Sequence, residues 1–237
     1  TPIIFRAVEQ WFVKVDAIKS QALDAIDHVN WIPAWGKNRI RGTVESRSDW
    51  CISRQRTWGV PLPIFYRPNG EPILDQALVN KLADLVEKRG SNVWFELSAD
   101  ELAAELGLPK GVTKQNDTLD VWMDSGSSHR AVLKRHPELR FPADLYLEGS
   151  DQHRGWFQSS LLTSVAVNGG AAPYKEVVTN GFLVDLDGKK ISKSATYEKP
   201  KDAESFVNKY GADIVRLWVA SENYQNDVPL SEEIFTR

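Results

Sequence analysis

The stretch that decides the fold is Asp144-Leu-Tyr-Leu-Glu148-Gly-Ser-Asp151-Gln-His-Arg-Gly155-Trp-Phe157. Leu145 to Leu147 is a short apolar run, stopped by Glu148-Gly149-Ser150. Beyond the stop, Phe157, Leu161, Leu162 and Val165 recur at helical spacing on one face. Strand, tight turn and helix in that order mark the junction where open α/β sheets hold ligands, beyond the carboxyl ends of their strands. The turn is more polar than a turn requires. Glu148, Asp151, Gln152 and His153 are expected at its mouth, beside a helix N-terminus whose first N–H groups have no partner within the helix. Helix capping by Ser150 or Asp151 is the structural alternative. It leaves Glu148, Gln152 and Trp156 without a reason.

A second strand is expected over Val177 to Val184, followed by Asp185-Leu-Asp-Gly188-Lys-Lys190-Ile-Ser-Lys193-Ser194. Three lysines and two serines on a glycine-opened loop suit a polyphosphate, with lysines as point charges and hydroxyls as donors. A solvated basic turn would look similar. The Walker pattern does not fit, because Leu183 stands where it needs glycine.

Outward from these two stretches, Phe5, Val8, Trp11, Phe12, Val15 and Ile18 predict an amphipathic helix with Trp11 and Phe12 in the core. A second helix holds Leu23 and Ile26 and ends before the turn-rich Asn30 to Gly36. Arg54, Gln55 and Arg56 crowd together in the block from Trp50 to Pro63, either to meet phosphate or as an ion-paired framework. Leu62 to Tyr66 reads as a strand, placed at an edge by its prolines. Leu74, Leu78, Leu82, Leu85 and Val86 form a helical stripe closed by Gly90, and Ser98 to Glu101 is a capping box for a helix ending at Gly107. Thr118 to Met123 reads as a strand carrying Asp120 and Trp122. Arg130, Lys134 and Arg135 make the following loop basic. Near the end, Ala203, Phe206, Val207 and Tyr210 give a helix stopped by Gly211, and Ile214 to Ala220 another, apolar enough for burial.

Composition narrows the classes. Hydrophobic residues at 42% and charged residues at 26% are ordinary for a globular protein, and 237 residues suffice for one large domain or two small ones. No apolar run approaches the roughly 18 residues of a membrane span, so no membrane association is expected. One cysteine, Cys51, excludes an internal disulfide and suits a reducing cytoplasm. Cys51 and the four histidines lack metal-ligand spacing, so no metal site is expected. A net charge of −3 is not that of a general nucleic-acid binder.

Four blocks carry a resemblance. Lys190-Ile-Ser-Lys-Ser194 is similar to the Lys-Met-Ser-Lys-Ser loop of class I aminoacyl-tRNA synthetases, with Ile191 in place of methionine. Asp49-Trp-Cys-Ile-Ser-Arg-Gln-Arg-Thr-Trp-Gly59, Asp120-Val-Trp-Met-Asp-Ser-Gly126 and Glu148 to Phe157 resemble the isoleucyl branch of that family rather than its valyl or leucyl relatives. The resemblance implies an α/β fold: a Rossmann-like parallel-sheet catalytic half, a small inserted connective module and C-terminal helices. It divides the chain into a segment at 1–67 following an editing insertion, the connective module at 68–117, the nucleotide-binding half at 118–200, and the helical start of a tRNA-contact region at 201–237. It implies isoleucine activation with ATP and Mg²⁺, then transfer to tRNA(Ile), by a cytoplasmic monomer. The family's His-Ile-Gly-His element has no match here, so half of a catalytic domain is expected; a related valyl or leucyl enzyme, or a synthetase-like module that only binds, is the rival reading.

Roles follow from the resemblance too. Lys190 and Lys193 are implied as catalytic, drawing off charge that grows on the phosphates, with Ser192 and Ser194 completing the ATP contact. Glu148 would meet the substrate ammonium. Gly149, Asp151, Gln152 and His153 belong to the substrate-binding turn, and Trp122 and Trp156 would wall an apolar pocket for the isoleucine side chain.

Overall fold

The computed structural model describes residues 3, 4, 7–191 and 202–236. Val15 sets where the first helix begins: it is fully buried, and its amide donates to Asp49 Oδ1 at 3.1 Å. The chain before it is extended, β1 (Phe12–Val13), and α1 spans Asp16–Asp27. The helix expected from residue 5 to 18 therefore does not form among the described residues; Phe5 lies outside them. Its aromatic spacing was not a buried face, since Phe12 is 53% exposed and Trp11 turns its indole N–H to Tyr66 Oη at 3.1 Å. Leu23 and Ile26 do lie on α1, Ile26 fully buried. Residues 30–36, expected as turn, divide into β2 (Asn30–Ile32) and the start of α2 (Trp35–Glu45). Both read weakly because β2 has only three residues and α2 buries Gly36, Ile40 and Val44, a stripe containing one glycine.

Next come β3 (Trp50–Cys51), which pairs antiparallel with β1, and β4 (Ser53–Arg54). β5 (Phe65–Tyr66) is central rather than at an edge, lying between β6 (Pro72–Ile73) and a later strand, β7 (Thr113–Lys114). Pro61 and Pro63 precede β5, so they cost it no ladder bond. Between β6 and β7 run α3 (Gln76–Arg89), α4 (Val93–Glu96) and α5 (Ala99–Leu106). Asp75 Oδ1 caps α3, accepting from Ala77 N at 2.7 Å, so Leu74 falls outside the helix. The Ser98–Glu101 box opens α5, and Gly107 closes it in the left-handed region at φ +75°. These elements enclose their own core, built on Phe65, Leu78, Leu82, Trp94 and Leu102.

β8 (Thr118–Leu119) pairs antiparallel with β4 and stops early, because α6 (Val121–Gly126) begins where the strand was expected to continue. Trp122 is thus on a helix. A π-helical turn follows at His129–Leu133. β9 (Ala143–Gly149), a 3₁₀ turn at Ser150–Arg154, α7 (Trp156–Val167) and β10 (Tyr174–Asn180) form the strand–turn–helix–strand unit that the sequence predicts. The strand expected up to Val184 breaks at Gly181 and Phe182, whose amides donate to Tyr224 O and Asp227 Oδ1. β11 (Leu183–Val184) follows the break, and pairs parallel with β12 (Val228–Pro229) beyond α8 (Ala203–Tyr210) and α9 (Ala212–Ser221). α9 buries none of its residues: its apolar stripe is on the surface, with Leu217 66% exposed.

The main sheet is parallel, in the order β2-β10-β9. Trp31, Val177 and Tyr146 share one register row and are buried. That row meets Ile26 of α1, Ile40 of α2 and Phe157 and Leu161 of α7 in one core. An α/β architecture is what the sequence predicts. The carboxyl ends of β9 and β10 lie side by side at Gly149 and Asn180.

His129 is buried between helices in a neutral setting. Thr163 Oγ1, which donates to Gly126 O at 2.7 Å, is 3.2 Å from Nε2, and Asn168 Nδ2 is 3.4 Å from Nδ1. Burial, then Lys134 and Arg130, push its pKa down from 6.5 to about 4. The folded value lies below the unfolded one, so this stabilisation is complete above pH 6.5 and is lost as pH falls toward 4. The shift corresponds to about 3 kcal/mol. Urea unfolding at pH 7 and pH 4.5 should therefore show a smaller stability loss for His129→Gln than for the parent chain.

Candidate active site

The polar turn after β9 is organised by Gln152. Its Oε1 accepts from the Trp156 amide at 2.8 Å, which meets the first turn of α7. Neither Ser150 nor Asp151 makes a capping bond to α7, so the capping alternative fails for both. Asp151 instead lies 3.5 Å from Lys190 Nζ. That ammonium also sits 3.7 Å from the centroid of the Phe182 ring. Gly149 lies beneath: a Cβ there would be 3.0 Å from both Asp151 Oδ1 and Phe182 Cε1. The two stretches singled out in the sequence thus meet over adjacent strand ends. Phe182 was not anticipated, and no periodicity could have found it, because its place depends on the break after β10.

Asp185 shapes the lysine loop. Its Oδ1 accepts from the amides of Asp187 at 3.0 Å and Lys189 at 2.8 Å. Lys190 then bridges back to Val184. The contact of Lys190 with Asp151 is half exposed at both ends, so it contributes about 0–1 kcal/mol and yields readily to a stronger anion. Ser192, Lys193 and Ser194 lie outside the described residues. Glu148 is exposed at the end of β9, opposite Thr179.

His153 departs from expectation. Its side chain is fully buried behind the turn, near Trp31, Trp35 and Phe157, and does not face the mouth. The 3₁₀ geometry turns residue 153 inward while residue 151 stays out.

Both tryptophans converge on Gly155. Trp156 follows it, stacked on Tyr146 at 4.0 Å and 6°, with its indole N–H donated to Ser125 O at 2.9 Å. Trp122 approaches from α6: a Cβ on Gly155 would be 2.9 Å from Trp122 Cη2 and 2.5 Å from Gln152 Oε1. Trp122 lines a cavity of about 520 Å³ whose walls are polar, including Arg47, Arg54, Asp120 and Gln158, and do not include Trp156.

In the wall of that cavity Asp120 is buried and paired. Trp50 Nε1 donates to its Oδ2 at 2.8 Å, and Arg54 Nη2 lies 3.2 Å from its Oδ1. Arg47 donates to Gln158 Oε1 at 2.6 Å, and burial holds its pKa below the usual guanidinium range. Gln55 donates to Asp117 at 2.8 Å. The framework reading of this block describes Arg54 and Gln55. Among the described residues no group of three or more His, Cys, Asp or Glu is placed to hold a metal ion, and no helix is long and apolar enough to cross a membrane.

A cationic loop and a polar turn meet over adjacent strand ends of a parallel sheet, the place where open α/β proteins hold their ligands. The sequence profile described as tRNA synthetases class I (I, L, M and V) matches residues 3–231, and the chain belongs to that family. Over its whole length it is 60% identical to the isoleucine–tRNA ligase of Methylacidiphilum infernorum, covering 26% of that protein. Over 99% of its length it is 52% identical to that of Caldanaerobacter subterraneus subsp. tengcongensis, covering 25%. The chain thus spans about a quarter of the length of these curated relatives. Among solved structures, Mycobacterium tuberculosis methionyl-tRNA synthetase in complex with methionyl-adenylate is similar over 96% of this chain and 36% of that one, with TM-score 0.61 and 18% identity. The leucyl enzyme of Agrobacterium radiobacter K84, in a ternary complex with tRNA and LeuAMS, matches 80% of this chain and 26% of that one, with TM-score 0.56 and 20% identity. At these identities the two structures speak for the fold.

Gly155→Ala tests the junction. The new methyl meets Gln152 and Trp122, so the bond from the Trp156 amide should be lost. Amide hydrogen exchange at Trp156 should speed up by about tenfold, as loss of one hydrogen bond implies, with exchange in β10 unchanged. Unaltered exchange at Trp156 would show that the turn does not depend on this glycine.

Proposed function

We propose that this chain is part of an isoleucine–tRNA ligase, which activates isoleucine with ATP to isoleucyl-adenylate and transfers the acyl group to tRNA(Ile). The observation that carries the reading is the meeting of Lys190 with Asp151 over the ends of β9 and β10, in a chain 52–60% identical to isoleucine–tRNA ligases. Lys190, with Lys193 beyond the described residues, neutralises charge that develops on the phosphates as pyrophosphate leaves; Ser192 and Ser194 add donors. Displacement of Lys190 from Asp151 by phosphate frees that carboxylate for the ribose, beside Gln152. Glu148, exposed at the end of β9, takes the ammonium of isoleucine. Gly149 lets the ligand approach the backbone, and Trp122 and Trp156 flank the aliphatic side chain. Mg²⁺ supplies charge neutralisation on the triphosphate; one carboxylate beside Lys190 fits an ion carried mainly by substrate phosphates rather than by a protein cage.

The module at 68–117, the catalytic segments at 1–67 and 118–200, and the tRNA-side helices at 201–237 are proposed as this ligase's divisions, in a cytoplasmic monomer. A binding-only synthetase-like module, or a valyl or leucyl relative, is the second reading. Isoleucine-dependent exchange of labelled pyrophosphate into ATP separates the two. The full-length protein carrying this chain should catalyse exchange and the isolated chain should not. Exchange driven equally by valine or leucine would overturn the isoleucine assignment.

Pocket specificity gives a further expected outcome. Isoleucine and valine differ by one methylene, for which an apolar pocket yields about 1–3 kcal/mol, a limit usually illustrated with this very pair. In the full-length ligase, Trp156→Ala should bring the two amino acids closer in kcat/KM. Glu148→Gln should weaken both alike, since it touches the part they share. An unchanged ratio in Trp156→Ala would leave that indole as packing on Tyr146 alone.

A further inference from the structure

The turn that carries Asp151 and Gln152 is fastened from behind, and we propose that His153 is a positioning residue for it, acting as a neutral ring with its proton on Nδ1. The inference rests on the nucleotide-site reading above. His153 Nδ1 lies 2.9 Å from Ser150 O. A carbonyl only accepts, so Nδ1 donates and Nε2 of the neutral ring is a bare lone pair. The link closes a ring of backbone from residue 150 to residue 153, and the residues inside it are Asp151 and Gln152.

The rest of the surroundings suit that one tautomer. Nε2 is buried and has no partner among the described residues. A Cβ on Gly36 would stand 3.1 Å from it, so α2 comes close with backbone alone. Rings of Trp31 on β2, Trp35 on α2 and Phe157 on α7 lie 6.1, 5.6 and 5.3 Å from the imidazole centroid. Arg39 on α2 is the charged group that acts on the ring, and it opposes a second proton. Thr43 Oγ1, also on α2, lies 3.2 Å from His153 O, in reach to donate. α2 thus holds the backbone of residue 153 while the side chain holds the backbone of residue 150. Burial and Arg39 keep the imidazole pKa below its ordinary value, consistent with a ring that stays neutral.

Glu148 precedes this ring of backbone and belongs to β9, where ladder bonds to β10 place it. Loss of the His153 link should therefore disturb the ribose-side residues and spare the ammonium contact. That asymmetry separates positioning from general support of the fold.

The experiment compares three variants of the full-length ligase carrying this chain, by pyrophosphate exchange. His153→Asn places an amide N–H near the position of Nδ1, His153→Gln places it near Nε2, and His153→Phe fills the volume with no donor. With Asn the KM for ATP should stay within about threefold of the parent, whereas with Gln and Phe it should rise about tenfold or more, the scale of one lost hydrogen bond. The KM for isoleucine should change less than about threefold throughout. Should Phe fail to fold, the Asn and Gln pair still decides, since the two differ in which nitrogen they imitate. Equal behaviour of Asn and Gln, or ATP and isoleucine weakening together, would overturn the proposal. Absence of isoleucine-dependent exchange in the parent would instead sink the ligase reading itself.

Discussion

The structure depends on the burial of one row across the parallel sheet, Trp31, Val177 and Tyr146, under α1, α2 and α7. Full burial of such side chains stabilises by about 1.5–3 kcal/mol each, and no polar contact near the site approaches the sum. The row fixes more than stability. A slip of one residue in β9 would send Tyr146 outward and Leu145 and Leu147 inward. Tyr146 stacks on Trp156 and lies 3.2 Å from Ser160 Oγ, so its inward placement also sets the rotation of α7. With that rotation set, Gly155 and Gln152 can only stand at the strand end.

Much of this was legible because strong local signals agreed with the tertiary answer. The β9–α7 unit has a stop at Glu148-Gly149-Ser150 and a helical stripe after it, and both survive in the structure. The capping box at Ser98 and the left-handed glycine at 107 are local chemistry that any context would honour. Misreadings fell where apolar spacing arose without burial. Trp11 and Phe12 mimic a helical face, yet Phe12 borders solvent beside β3. Trp122 mimics a strand residue, yet Asp120 halts the strand because its carboxylate is taken by Trp50 and Arg54. β2 and α2 were hidden for the opposite reason. A three-residue strand shows no period, and a helix whose stripe includes Gly36 shows a weak one.

The strand–turn–helix junction was legible in the sequence, but the orientation of its side chains was not. Spacing placed Glu148, Asp151, Gln152 and His153 at one junction; in the structure Glu148 stands at the end of β9 and the other three lie on the 3₁₀ turn that follows. It could not say that a 3₁₀ turn would send Asp151 to Lys190 and His153 to the core. Side-chain direction in a five-residue turn depends on what lies on each side, and α2 was missing from the sequence reading.

The charges around the site divide by burial, and that division assigns their work. Asp120 and Arg54 form a pair in which the carboxylate is almost wholly buried, so removing Arg54 leaves that buried charge with only the Trp50 indole N–H. Such a pair cannot be released to a substrate without loss of structure. Lys190 and Asp151 are each about half exposed, so solvent replaces either partner at little cost. Arg54 therefore fastens Asp120 at the start of α6, while the lysine loop is left able to exchange its partner. On the ligase reading proposed above, a charge that must grip phosphate and then release it belongs on the second kind of pair, and in this chain that pair lies over the strand ends.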